Sequence, residues 1–218
     1  MVLKVILIII EVLAGYLLFM IIIGVGILRK FVHFPAPPFV RYFLDSNLRR
    51  KMQSPLLVIE RSGIKEGMKV LEIGCGSGAF TPYIARVVDK KGTVYSLDIQ
   101  QKMLGQLYKK LQKEENKDID NVKLILGNAY ELPFENQSID VVIFITVLQE
   151  IPDKAKALIE ARRVLKKDGK LAITELLVDP DYPLRKTTIK QVTKTGFEVA
   201  RNEGNLINYT ICFDKTII

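Results

Sequence analysis

The sequence has few of the residues that build disulfide frameworks and metal centres. It contains two cysteines and one histidine among 218 residues. Neither Cys75 nor Cys212 has a second cysteine or a histidine nearby at ligand spacing, so the sequence predicts neither a disulfide scaffold nor a metal site. A Ser-His-Asp triad would have to use His33. The remaining composition, 49% hydrophobic and 26% charged, excludes a disordered, collagen-like or coiled-coil chain.

The length and the charge narrow the possibilities further. A chain of 218 residues is long enough for one domain with a full core and short for two. About half of the net charge of +8 lies in residues 1–60, which carry seven basic and three acidic side chains. This charge follows an apolar segment and forms no basic stripe on a folded domain. We therefore expect a membrane surface as a partner, and no nucleic acid.

One long hydrophobic run occupies Val5–Leu28, 24 residues with a single charged side chain, Glu11. As a helix it would be about 36 Å long, enough to cross a bilayer core of about 30 Å. The alternatives are a signal peptide, which would be shorter, and a buried core helix, which is seldom apolar on all faces. We predict a transmembrane helix within residues 1–30. Glu11 lies close enough to its start to reach toward the interface, although acids inside a membrane are often functional.

Basic residues outnumber acidic ones on the C-terminal side of this run. Six basic residues lie between the run and residue 52, against Asp45 alone. By the positive-inside rule, the sequence predicts a single-pass membrane protein whose remaining chain is cytoplasmic.

Residues 31–54 are predicted to connect the anchor to a folded domain. Three prolines close to residue 35 interrupt any continuous helix, because proline lacks the amide donor. Residues 39–52 then follow the pattern of a short amphipathic helix, with aromatic side chains on one face and basic residues elsewhere. Such a helix can lie among lipid headgroups or pack on the domain as a lid, and the two interpretations are compatible. His33 is interpreted as an interfacial residue.

From residue 55 to residue 218, apolar strands alternate with helices, which predicts a three-layer α/β sandwich around a mostly parallel, seven-stranded sheet. The predicted helices are Leu56–Ser62, Phe80–Asp89, Gln101–Glu115, Lys154–Leu165 and Pro183–Thr195, with Lys166–Gly169 as a turn that closes the fourth. The predicted strands are Lys69–Ile73, Thr93–Asp98, Val122–Leu126, Ile139–Ile145 and Lys170–Leu177, followed by a C-terminal antiparallel hairpin of Phe197–Arg201 and Ile207–Phe213.

A glycine-rich loop follows the first predicted strand. Gly74, Gly76 and Gly78 lie between a strand and a helix, where the backbone must turn sharply and approach a ligand closely. Asp98 ends the next strand, where an acid can accept hydrogen bonds from both ribose hydroxyls of a nucleoside. The spacing from Gly74 to Ala79 also satisfies the dinucleotide fingerprint, so a membrane-tethered oxidoreductase stays an alternative. No sequence is left for the second domain that a dehydrogenase usually needs.

Five segments together resemble the motifs of class I S-adenosylmethionine-dependent methyltransferases. The likeness covers about residues 55–218 and is strongest to the subgroup of quinone-biosynthesis and methyltransferase-11-type domains. It implies a Rossmann-like fold and S-adenosyl-L-methionine as the cofactor. The segments are the acidic glycine loop Glu72–Gly78, Gly127–Phe134 (like Gly-Asp-Ala-x-x-Leu-Pro-Phe), Ser138–Val142 (like Ser-Phe-Asp-Val-Val), Val147–Asp153 (like Val-Leu-His-Glu-Ile-Pro-Asp) and Arg163–Leu171 (like Arg-Val-Leu-Lys-Pro-Gly-Gly-Lys-Leu).

The resemblance implies which residues hold each half of the cofactor. The glycine loop, with Cys75 as a small residue inside it, would hold the methionine half, and Glu72 would orient the loop or approach the cofactor's amino group. Asp98 would hold the ribose, Ile99 would lie against the adenine, and the backbone at Thr146 would meet the methionine half. The full set of candidates is Glu72, Gly74, Cys75, Gly76, Gly78, Asp98, Ile99, Asn128, Ala129 and Thr146, of which Asn128 and Ala129 would meet the adenine edge.

This chain departs from the family pattern at three positions. Asn128 replaces an aspartate, but its amide oxygen can still accept a hydrogen bond from the adenine amine. Gln149 replaces a common histidine, so if that histidine helps to deprotonate substrate in some relatives, this chain lacks it. The pair Asp168-Gly169 replaces Pro-Gly in a turn. No catalytic base is named by the sequence. The candidates, all near the C-terminal ends of strands, are Glu150, Glu175, Asp179 and Tyr182.

The predicted anchor favours a methyl acceptor in the membrane, because tethering raises the local concentration of membrane molecules and gains little for a free metabolite. We expect a lipid, either a phospholipid headgroup amine or a prenylated quinone-type ring. The alternatives are a methyltransferase that acts on lysines of membrane proteins, and a cofactor-binding scaffold without catalysis.

Overall fold

The computed structural model describes residues 47–179 and 181–216, together with the helical positions Leu13, Tyr16 and Met20. The predicted transmembrane helix and most of the predicted connector therefore lie outside the described residues. Within the described part of the chain, no helix is both long enough and apolar enough to cross a bilayer.

Seven strands form a single sheet. They are β1 (Lys69–Ile73), β2 (Thr93–Asp98), β3 (Val122–Leu126), β4 (Ile139–Ile145), β5 (Leu165–Leu176), β6 (Phe197–Gly204) and β7 (Asn208–Lys215). Their order in the sheet is β3-β2-β1-β4-β5-β7-β6. The first five strands pair in parallel, and β7 is antiparallel to both β5 and β6. The predicted seven-stranded, mostly parallel sheet with an antiparallel hairpin is confirmed.

Within residues 47–179 and 181–216, six α-helices accompany the sheet: α1 (Asn47–Met52), α2 (Pro55–Arg61), α3 (Thr81–Val88), α4 (Gln101–Leu111), α5 (Lys154–Val164) and α6 (Arg185–Thr193). Successive side chains of a strand point to opposite faces. Val70 of β1 packs with α2 and α3 on one face, and its neighbour Leu71 packs with α5 and α6 on the other. The inner strands are apolar at nearly every position because helices cover both faces, as three layers require.

The bounds of β1 to β4 are those predicted, but the helices differ at their ends. The third helix ends at Val88, because Asp89 turns the chain with a φ of 54°. The last helix begins at Arg185, because Leu184 is extended, with a ψ of 145°. The remaining differences are small: α2 spans Pro55–Arg61, α4 ends at Leu111 ahead of a separate 3₁₀ turn at Glu114–Asn116, and α5 ends at Val164.

The predicted turn at Lys166–Gly169 is part of β5. Leu165 lies opposite Ile139 of β4, and the next register pair joins Lys170 to Val141. Four residues of β5 therefore bulge out opposite the single residue Asp140, whose carboxylate accepts a hydrogen bond from Lys166 Nζ at 2.6 Å. The sequence prediction began this strand too late because an Asp-Gly pair is typical of turns.

The C-terminal hairpin is longer than predicted, since β6 continues to Gly204 and β7 continues to Lys215. The last strand enters the sheet between β5 and β6 and pairs with both along its length.

The first described helix packs on the domain. Asn208, at the start of β7, donates a side-chain hydrogen bond to the Met52 carbonyl. Arg49 is only 4% exposed. The Arg49 side chain lies between the helix and the domain, where it contacts Thr146. Residues 39–46 lie outside the described part, so the headgroup helix and the lid both stay predictions.

Candidate functional site

The loop after β1 is held to the end of β2 by its own backbone. The amides of Gly74 and Cys75 both donate to the Leu97 carbonyl, at 2.8 and 3.1 Å, and the Gly78 amide donates back to the Cys75 carbonyl at 3.0 Å. Gly74, Gly76 and Gly78 have φ values of 71°, 56° and 77°. These are left-handed conformations that glycine adopts without steric cost.

The three glycines differ in what surrounds them. A Cβ at Gly74 would lie 2.5 Å from Val147 Cγ1, and one at Gly78 would lie 2.3 Å from Leu107 Cδ1. These two glycines are required by packing within the protein. A Cβ at Gly76 would meet no atom within 4 Å. The space beside Gly76 is therefore open to a ligand.

Asp98 lies at the end of β2 directly beside this loop. Its Oδ2 accepts a hydrogen bond from the Gly76 amide and its Oδ1 accepts one from the Gln100 amide, both at 2.8 Å. Burial raises the pKa of this carboxyl, and the two amide donors oppose the shift. Each oxygen keeps a further lone pair that can accept a hydroxyl. The Gly127 amide donates to the Asp98 carbonyl at 3.1 Å, which brings the loop after β3 alongside.

Glu72 is buried beneath the loop. Its Oε2 accepts a hydrogen bond from Thr81 Oγ1 at 2.6 Å, at the start of α3, and a longer one from Ser96 at 3.5 Å. Burial raises the pKa of Glu72 to about 7, against the lowering effect of the two hydroxyl donors. This placement favours the first of its two predicted roles, since Glu72 ties β1 to the helix on the far side of the loop.

The predicted residues of the adenine side lie on the surface or just below it. Ile99 is 63% exposed next to Asp98 and offers an apolar face to a flat ring, while Ala129 is buried in the core. Asn128 is exposed, and its Oδ1 accepts a hydrogen bond from the Tyr130 amide at 2.8 Å. The amide oxygen of Asn128 therefore shapes the turn, with a second lone pair left for a ligand.

The Cys75 side chain points into the protein. It packs with Leu104 and Leu107 of α4, and burial raises the pKa of its thiol well above the ordinary value. Only the backbone of this candidate is placed to face a cofactor.

Thr146 follows β4 with a φ of 54°, which is uncommon for a residue other than glycine. The Thr146 amide donates to the Thr174 carbonyl at 2.8 Å, and its hydroxyl accepts a hydrogen bond from Arg49 Nη2 at 2.8 Å. Such conformations cost about 1–3 kcal/mol and cluster at functional sites.

Arg49, Gln53 and Thr81 lie at the site and were missed by the sequence reasoning. Arg49 belongs to a run of three basic residues, and nothing in the run distinguishes the buried member from its exposed neighbours. The contact between Thr81 and Glu72 joins two ends of a loop whose path the sequence does not specify.

The four candidate bases lie near β5. Glu175 is 2% exposed, its Oε1 has no hydrogen-bond partner among the described residues, and burial raises its pKa well above the ordinary value. The charges of Asp179 and Glu150 add to that shift, and a hydrogen bond with Gln149 opposes it. The Tyr182 hydroxyl donates to the Leu206 carbonyl at 2.7 Å. Among the four candidates, Glu175 is thus a carboxyl whose burial shifts its pKa upward.

The arrangement can bind an elongated, nucleoside-containing ligand. Asp98 on β2, Gly76 after β1 and Thr146 after β4 lie along one edge of the sheet, at the carboxyl ends of three adjacent strands. Open α/β sheets bind their ligands at this edge. Among residues 47–179 and 181–216, no cluster of three or more histidine, cysteine or acidic side chains could hold a metal ion.

Sequence comparison relates the chain to methyltransferases. A family model described as a methyltransferase domain matches residues 64–212. The demethylmenaquinone methyltransferase of Staphylococcus aureus strain MRSA252 is 37% identical over 118 residues, which are 54% of this chain and 47% of that protein. Its counterpart in strain JH9 is 36% identical over the same length. The match thus spans about half the length of these relatives.

Solved structures show the same fold. An S-adenosylmethionine-dependent methyltransferase from Aquifex aeolicus superposes with a TM-score of 0.75 at 24% identity and covers 82% of this chain and 98% of its own. An arsenic(III) S-adenosylmethionine methyltransferase from Chlamydomonas reinhardtii superposes with a TM-score of 0.57 at 23% identity, over 85% of this chain and 75% of its own. At these identities the likeness concerns the fold alone.

Proposed function

This chain belongs to the methyltransferase domain family, and on that premise we propose that it transfers a methyl group from S-adenosylmethionine to a prenylated quinol in a membrane. The observation that carries the proposal is the 37% identity to demethylmenaquinone methyltransferase, together with a complete glycine loop and Asp98.

The residues at the sheet edge fit S-adenosylmethionine. Gly76 leaves open space beside a left-handed loop, and Asp98 holds two carboxylate oxygens next to it. When bound, the cofactor supplies an electrophilic methyl group on a sulfonium sulfur. The loop Gly74–Gly78 would hold the methionine half, Asp98 would accept hydrogen bonds from the ribose hydroxyls, and Ile99 would cover one face of the adenine. The protein aligns the methyl group and the acceptor for an in-line displacement.

Exposed apolar side chains near the same sheet edge support a lipophilic acceptor. The loops after β5 and before β7 are joined, since the Leu177 amide donates to the Ile207 carbonyl at 2.7 Å. Clusters of this kind mark membrane, ligand or protein contacts on soluble surfaces. The residues are Leu177, Val178, Leu184, Leu206 and Ile207, between 44% and 76% exposed.

The anchor is also part of the proposal. The apolar run Val5–Leu28 spans the membrane once, and the basic residues that follow it keep the catalytic domain on the cytoplasmic side. The anchor holds the domain within reach of an acceptor that cannot leave the bilayer.

The test uses the full chain, reconstituted from detergent into vesicles that contain chemically reduced demethylmenaquinone, with methyl-labelled S-adenosylmethionine. We expect label in the organic extract, co-migrating with the methylated quinone. Asp98→Ala is the matched control, because it removes the ribose contact and should leave the extract unlabelled while the fold persists by circular dichroism.

Other outcomes would overturn the proposal in different ways. Label in phospholipid refutes the quinol but keeps a lipid acceptor, and label in precipitated protein refutes any lipid acceptor. Retained binding of S-adenosylhomocysteine without transfer to any component, native membranes included, refutes catalysis.

A further inference from the structure

Two polar side chains, one in the first helix and one directly after it, lie buried above the end of β4. Arg49 is 4% exposed and Gln53, four residues later and on the same side of the turn, is 1% exposed. Arg49 Nη2 donates to Thr146 Oγ1 at 2.8 Å, and the guanidinium carbon lies 5.5 Å from the centre of the Phe80 ring.

These contacts place the guanidinium beside the glycine loop. Phe80 ends the loop, and Val147, which follows Thr146, closes over Gly74 at its start. In the sheet, β1 lies between β2 and β4. Asp98 is thus on one side of the loop and Arg49 on the other. If Asp98 holds the ribose, the arginine lies toward the methionine half of the cofactor.

Gln53 leaves a donor unused at this position. Its Nε2 makes no hydrogen bond within the described residues, and its Oε1 accepts from Arg49 Nε and Nη2 at 3.4 Å each, which are long contacts. A buried amide donor without a partner destabilises a protein, so such a group points to a partner that is present in a bound state. A guanidinium and an amide N–H side by side are suited to a carboxylate.

We propose that Arg49 and Gln53 bind the α-carboxylate of the methionine half of S-adenosylmethionine. The helix Asn47–Met52, within the predicted connector, is then part of the cofactor site. This inference rests on the proposed cofactor, and it is independent of the acceptor and of catalysis.

The test compares two ligands that differ only in this carboxylate. Calorimetry on the full chain in detergent would give the dissociation constants of S-adenosylhomocysteine and of its decarboxylated analogue. We expect Arg49→Met to weaken S-adenosylhomocysteine by about 10- to 100-fold and the analogue by less than about 2-fold, since a charged hydrogen bond is lost only with the carboxylate. Gln53→Leu should weaken the first ligand less and leave the second unchanged.

Matched variants keep the result interpretable. Lys51→Met removes the same charge from an exposed residue of the same helix and should change neither constant. Arg49→Lys keeps the charge but loses the planar fork, so an intermediate loss is expected, and it serves if Arg49→Met does not fold.

Three results would overturn the inference. Equal weakening of both ligands by Arg49→Met would assign the arginine to the packing of the helix alone. If Arg49→Met weakens the binding of neither ligand, the arginine does not contact the cofactor. Equal affinity of the unaltered protein for both ligands would show that the carboxylate is not recognised. Failure of the unaltered protein to bind S-adenosylhomocysteine would instead refute the cofactor itself.

Discussion

Replacing Gly76 with alanine separates the ligand-binding role of the loop from its packing role. The new Cβ meets no protein atom within 4 Å, so the cost to stability is the left-handed backbone alone, about 1–2 kcal/mol. For a domain of this size, that lowers the Tm by about 2–8 °C. Because the methyl group projects into the open space beside Asp98, we expect the affinity for S-adenosylhomocysteine to fall by about 10-fold or more.

Gly78→Ala is the matched comparison. It has the same backbone cost, but its Cβ would lie 2.3 Å from Leu107 Cδ1, which adds about 1–3 kcal/mol of overpacking. Gly78→Ala should therefore have the lower Tm of the two. Gly76→Ala should bind far more weakly than its modest loss of stability explains. Thermal denaturation and calorimetry on the same samples measure both quantities. Unchanged affinity of Gly76→Ala would refute the assignment of this space to the cofactor.

Three further outcomes are expected. Because burial raises the pKa of Glu72 from 4.5 to about 7, the folded protein holds this proton more tightly than the unfolded chain. The resulting stability is present below pH 4.5 and is lost as the pH rises through 7. Glu72→Gln has no titrating group at this position, so its free energy of unfolding, measured with urea, should not fall by this amount, about 3 kcal/mol, over the same pH range. The same pH profile for both proteins would contradict the prediction. Tyr209→Phe leaves the Pro183 carbonyl and the Thr188 hydroxyl without the tyrosine hydroxyl, so the free energy of unfolding at pH 7 should fall by about 1–3 kcal/mol. An unchanged urea midpoint would count against these hydrogen bonds. Burial raises the pKa of both thiols, Cys75 and Cys212, so iodoacetamide at pH 7.5 should label neither cysteine until urea is added. Mass spectrometry measures the labelling. Rapid labelling of the folded protein would argue against the burial of the thiols.

The sequence was most informative where a residue's role depends on its neighbours along the chain. The bounds of β1 to β4 were predicted because buried parallel strands are continuous apolar runs, and the fold followed from their alternation with helices. The glycine loop and Asp98 were found because tight turns and strand ends leave local signals. At the bulge in β5 the local signal misled, since Asp168-Gly169 is typical of a turn and pairing with β4 is decided by a distant strand.

The rest of the candidate site depends on contacts between distant residues. Arg49 meets Thr146 across 97 positions of the chain, and its burial is decided by how α1 packs. The sequence reasoning grouped it with Arg50 and Lys51, which are also basic but are exposed. The orphaned amide of Gln53 and the raised pKa of Glu175 likewise depend on which groups surround them, and no pattern along the chain records that.

The position of β7 has a consequence for how the protein is made. Residues 208–215 are synthesised after every other strand of the sheet, yet they pair with strands on both sides. Until they emerge, β5 presents an open edge and β6 has no neighbour, although every residue from β1 to β4 has been synthesised. Open edges of this kind are templates for intermolecular pairing. A nascent or prematurely terminated chain that stops before Asn208 would thus be exposed to aggregation, and chaperones that cover sheet edges would matter most between the synthesis of β5 and that of β7.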